Sequence, residues 1–176
     1  MERRLVIKQI LIMAGGLALL PSCLRDAGKS TILLNKIDID LDQENLLSDI
    51  AETIIPRTNT PGAKELKLHL FVLKMLDDCY EKNEQNQFIN GLDQFKELVN
   101  DKYSKSFDKL SVQQKKSVLT SIENTKNSET DLSIFYRIMK DRTIDGYLNS
   151  QYVMTNLVIY ELVPGRYNGY FPVKTA

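Results

Sequence analysis

Apolar residues recur three and four positions apart in one stretch after another between Leu46 and Leu157, a period that fits α-helices and not the alternation of strands. Leu46, Leu47, Ile50, Ala51 and Ile54 form one stripe that Pro56 stops, and Asp40 or Asp42 can cap its start. This predicts a helix of about four turns. A second helix is predicted over residues 69–80, with Leu70, Leu73, Leu76 and Tyr80 on one face and Phe71 and Met75 beside them. Residues 84–100 repeat the pattern through Phe88, Leu92, Phe95 and Val99. Ser111 and Gln114 stand at capping-box spacing and open a helix to about residue 123. A polar connection follows, and Asp131 or Ser133 starts a helix carrying Phe135, Ile138, Met139 and Leu148. Within it Gly146 costs about 1 kcal/mol against alanine, which points to a close helix approach or a kink. Ser150 then caps a last helix with Val153, Leu157, Tyr160 and Glu161, running to Pro164. The fold class is therefore all-α, one domain of five or six helices over residues 42–163.

Three segments fall outside this period. Residues 31–40 alternate loosely through Ile32, Leu34, Ile37 and Ile39, which suits a short strand or, the reading we prefer, an extended lead-in. Residues 56–62 are dense in Pro, Thr, Asn and Gly and predict a structured loop, either a rigid connector or an interface element. The last stretch, residues 164–176, mixes Gly, Asn and Pro with Tyr167, Tyr170 and Phe171. Such a tail cannot bury its own aromatics, so they pack across the domain or belong to a partner.

The charge balance narrows the function. With 23 basic and 23 acidic residues in 176, the surface has no electrostatic claim on nucleic acid or anionic lipid. Two cysteines, Cys23 and Cys79, and one histidine, His69, are too few for a metal site of the usual Cys/His kind. Glu52, Asp77, Asp78 and Glu161 read as a solvated acidic helix face and not as paired acid and base. His69 reads as a hydrogen-bonded structural histidine, since no nucleophile stands in a recognisable motif. Cys79 reads as a buried thiol, with a reactive group or an intersubunit disulfide as the alternatives. Neither catalytic, cofactor-binding nor metal residues are assigned.

The N-terminus has the layout of an export signal. Arg3, Arg4 and Lys8 precede an uncharged apolar run, residues 9–23, that is too short for a comfortable membrane span. Paired arginines before two apolar residues and a lysine resemble the twin-arginine consensus, which addresses folded cargo; a generic export signal is the alternative. Leu20-Pro21-Ser22-Cys23 resembles a lipobox, with proline where a small or β-branched residue is usual. Residues 1–22 are thus read as the signal, Cys23 as the lipidated residue, and residues 23–41 as tether and lead-in. A cysteine simply discarded near a cleavage site is the alternative.

Several of these segments resemble one family. Ile50-Ala51-Glu52-Thr53-Ile54-Ile55-Pro56, then Thr58 and Thr60-Pro61-Gly62-Ala63, resembles the "ADTIIPxTxTPGA" signature of the gluconate 2-dehydrogenase subunit 3 family. Leu76-Asp77-Asp78-Cys79-Tyr80 is similar to the end of that family's second helix, and residues 139–150 resemble its "LKxxTxxGYxxS" segment. Tyr160 to Gly169, with Pro164, Gly165 and Tyr167, resembles its "YxxVPGxYxG" close. The motifs run in order over about residues 41–172 and are specific as a set. The resemblance implies an accessory subunit of a large flavoprotein of the glucose-methanol-choline type, with FAD in that partner and no cofactor in this chain. It further implies a periplasmic complex, a cytochrome subunit or other electron acceptor, and an export signal serving both chains. The absence of a GxGxxG loop and of a CxxCH haem site fits this division. Pro56, Thr58, Thr60, Pro61, Gly62, Tyr160, Pro164, Gly165, Tyr167, Gly169, Tyr170 and Phe171 are the residues read as partner interface. A free-standing envelope lipoprotein that binds another partner is the rival reading.

Overall fold

The computed structural model describes residues 28–124, 129–158, 165, 169 and 170, and every regular element among them is helical. Helix α1 spans Leu41–Ile54, α2 Leu68–Cys79, α3 Lys82–Tyr103, α4 Val112–Glu123 and α5 Asp131–Leu148. A 3-10 turn covers Phe107–Lys109 and a π turn Val153–Leu157. Of the two carboxylates available to start α1, Asp40 does so, its Oδ1 accepting the Gln43 N–H at 2.7 Å while Gln43 reaches back to the Asp40 N–H. Ser111 and Gln114 make the same reciprocal pair at the start of α4. Thr130, and neither Asp131 nor Ser133, caps α5.

Helix α5 lies at the centre, packed most extensively on α3 and next on α2. The predicted stripes meet there. Phe135 of α5 stands edge-on to Phe88 at 4.9 Å between ring centroids and 5.8 Å from Phe95, which in turn meets Phe107 at 5.2 Å. Each such pair contributes about 1 kcal/mol beyond its buried area. Leu47, Ile50, Val72, Leu73, Leu76, Leu92 and Met139 complete a core with no solvent exposure.

The lead-in is extended. Only an isolated bridge between Lys29 and Asp40 joins its ends, with Leu41 N–H on the Gly28 carbonyl at 2.9 Å. Ile37 and Ile39 are buried, as their alternation predicts. A lead-in lacking a partner strand must find other acceptors for its N–H groups. Asp77 supplies them, accepting from Asn35 at 2.9 Å, Lys36 at 2.6 Å and Ile37 at 3.2 Å. Asp77 is fully buried, which corrects the solvated acidic face expected of it, whereas its neighbour Asp78 is exposed and pairs with Lys74 at 3.2 Å.

Two further expectations are corrected. Cys79 is an exposed free thiol and not a buried one, because Asp77 takes the inward face and a residue two places on points to the opposite side. The last helix, expected to reach Pro164, ends at the π turn, and Val158 is extended. From Thr155 to Val158 every residue is exposed, so no apolar face holds the helix down. The side chains of Thr155 and Asn156 also bond the carbonyls of Gln151 and Tyr152, a local alternative to the helical ladder.

Candidate functional site

Pro56 has no N–H to extend α1, and the chain turns away there into residues 56–63. Glu52, on the last turn of the helix, reaches across that loop. Its Oε1 accepts the Arg57 N–H at 3.0 Å and its Oε2 the Lys64 N–H at 2.8 Å, one carboxylate closing both ends. Inside the loop Thr58 N–H donates to the Thr60 carbonyl at 3.0 Å, and Ala63 N–H returns to Ile55 at 2.9 Å. The approach leaves no room at Gly62, where a Cβ would stand 2.5 Å from Glu52 Oε1 and 2.7 Å from the Arg57 nitrogen. Only glycine fits that position. The loop is pinned from a third side by α5, whose Tyr147 hydroxyl donates to Thr60 Oγ1 at 3.2 Å.

Beside the loop lies an open groove of about 690 Å³ between residues 65–71 and residues 146–156. Gly146 makes it possible: a Cβ there would stand 2.8 Å from Phe71 Cδ1. The glycine inside α5 therefore marks a close approach to α2, without a break in the helix. Phe71, placed beside the core stripe by its spacing, is exposed and lines this groove.

Of the residues read as interface, Pro56 and Thr58 are exposed, Thr60 and Pro61 half-buried and Gly62 buried. Gly165, Gly169 and Tyr170 are exposed, Tyr170 at 96%. Tyr160, Pro164, Tyr167 and Phe171, and the export residues Arg3, Arg4, Lys8 and Cys23, lie outside the described residues. So does Glu161.

His69 is buried, with its Nε2 3.9 Å from Glu44 Oε1 and its Nδ1 without a hydrogen bond. Burial lowers its pKa, Glu44 opposes that, and Lys64 and Lys67 add to the lowering. The hydrogen bond expected of His69 is therefore absent, since Nε2 stands too far from Glu44 to form one and Nδ1 has no partner; only its burial agrees with the structural reading. Glu44 itself is buried and accepts from Thr31 through both backbone, at 2.6 Å, and hydroxyl, at 2.7 Å. The sequence reading missed it, although positions 44, 47, 48 and 51 share one helix face and all are buried. Among the described residues no three His, Cys, Asp or Glu side chains group as metal ligands, and no helix is long and apolar enough to cross a membrane.

The family model of gluconate 2-dehydrogenase subunit 3 matches residues 41–165. The chain belongs to the gluconate 2-dehydrogenase subunit 3 family. No curated protein and no solved structure gives a significant match. The subunit 3 match takes in all five α-helices, the clamped loop and the groove, and begins where Asp40 caps α1. The resemblance carried by the loop and by the Gly146-Tyr147 segment is thereby confirmed at the level of the family. In space these two segments of the subunit 3 fold are one unit, joined by the Tyr147 to Thr60 hydrogen bond.

Proposed function

We propose that the chain is a non-catalytic accessory subunit of a periplasmic, flavin-dependent sugar or polyol dehydrogenase. In this reading it escorts the folded catalytic subunit through export, stabilises it afterwards, and holds it at the membrane through a lipid on Cys23. The observation that carries the reading is the match to a dehydrogenase subunit over residues 41–165. FAD belongs to the catalytic partner, and electrons leave it for a cytochrome subunit or another acceptor. The rigid loop supports an interface role, because a surface that is already ordered loses little entropy on binding. Arg3, Arg4 and Lys8 support the escort, since a twin-arginine signal carries cargo that has already folded.

Changing Arg3 and Arg4 together to lysine tests the escort. Export of this chain and of its flavoprotein partner should stop together, read as the fraction of each in the periplasm. A partner exported at the wild-type level would overturn the escort role, and co-purification of the two wild-type chains then decides the subunit role separately.

A further inference from the structure

Two unusual backbone segments face the same groove. Lys67 sits at φ 54°, a left-handed conformation that costs a non-glycine residue about 1 kcal/mol or more, and it leads into α2 without a side-chain cap. On the opposite wall residues 153–157 are wound as a π turn, a form that occurs in short pieces and often at functional positions. Phe71 shows 37% of its surface between them.

The lining chemistry indicates what fits. Glu65 and Lys67 put opposite charges on one lip, so neither an anion nor a cation is favoured. The other polar groups are neutral amides and hydroxyls. Asn149 and Asn156 spend their Nδ2 groups on the carbonyls of Asp145 and Tyr152, which leaves both Oδ1 atoms as acceptors. The exposed Gln151 amide offers a donor and an acceptor beside them. Neutral acceptors and donors around one exposed aromatic ring match the alternating N–H and C=O groups of an extended polypeptide and one apolar side chain.

We propose that this groove receives an extended segment of the dehydrogenase's catalytic subunit, with an apolar side chain on Phe71 and backbone N–H groups on Asn149 and Asn156. The proposal rests on the subunit reading given above, which supplies the partner.

The test uses the full chain co-expressed with the flavin-binding subunit, purified through a tag on the latter. A photoreactive benzoylphenylalanine placed at Gln151 should crosslink to one stretch of the flavin-binding subunit, whereas the same probe at Lys116, exposed on α4, should not. Phe71→Asp should weaken co-purification by about tenfold or more, as loss of an aromatic hot spot does, and Phe71→Leu should weaken it less. Asn156→Lys, at an exposed position, gives a second variant that fills the groove without touching the core. Crosslinks from Gln151 to residues 159–176 of the same chain, or to a second copy, would overturn the proposal. So would a complex that forms normally with Asn156→Lys and gives no Gln151 crosslink, in which case the subunit reading stands and the groove is not its interface. Failure of the wild-type chains to co-purify would sink the subunit reading itself, and the groove proposal with it.

Discussion

The N–H groups of Asn35, Lys36 and Ile37 converge on the carboxylate of Asp77, and with it the lead-in is tied to α2. Removing that acceptor with Asp77→Ala strands the donors and should cost about 3 kcal/mol in urea unfolding near neutral pH, the range for charged hydrogen bonds lost at a buried site. Asp77→Asn keeps one carbonyl acceptor and should cost less. Burial by itself would raise the Asp77 pKa, but the three backbone donors and Lys74 outweigh it and hold the carboxyl below its ordinary value of 3.8. A depressed folded-state pKa contributes stability that is fully present above the unfolded value and is lost as pH falls through the lower, folded one. The stability gap between wild type and Asp77→Asn should therefore be constant above about pH 5 and shrink only below about pH 4. A gap that closes between pH 7 and 5 would mean that another group carries the effect. Asp77 was misread in the sequence for a physical reason. A carboxylate on a helix looks the same whether it faces water or a set of backbone donors, and those donors come from about forty residues away.

At the scale of elements the helices were legible because their signals are local. Stripe spacing located α1, α2, α3 and α5, and the reciprocal pair at Ser111 and Gln114 located α4. The end of the last helix was not legible, since Pro164 marked the latest possible stop while the actual stop depends on which residues find a core to pack on. The loop at residues 56–63 was legible as a loop, but its clamp was not, because no rule of spacing assigns Glu52 to the backbone of Arg57 and Lys64. That clamp gives Gly62 a testable role. Gly62→Ala should push the Glu52 carboxylate off its two donors, cost about 1–3 kcal/mol, and speed amide exchange at Arg57 and Lys64. In a Glu52→Ala background the same substitution should cost less by about 1 kcal/mol, a coupling typical of residues in contact. Strictly additive costs would place the clash at the Arg57 nitrogen alone.

For the whole molecule the ordered set of motifs was the strongest signal, and the family match confirms it from residue 41. The match stops at residue 165, short of residue 172, where the resemblance ends. Tyr167, Tyr170 and Phe171 therefore lie beyond it, and their aromatic, Gly-punctuated composition has to carry the reading of the tail. Tyr170 has 96% of its surface exposed, and a Cβ at Gly165 would meet open space. Aromatic side chains are common hot spots in interfaces, where the loss of one costs about 2 kcal/mol or more. Deleting residues 165–176 should then abolish or greatly weaken co-purification with the flavoprotein, while far-UV circular dichroism keeps its helical signal and the isolated chain keeps its melting temperature. A tail strapped over its own domain gives the opposite pair of results, with the truncated chain melting early and still binding its partner at unchanged affinity. In that outcome the interface lies at the clamped loop and its neighbouring groove, where Gly62 and Phe71 become the residues whose substitution controls assembly.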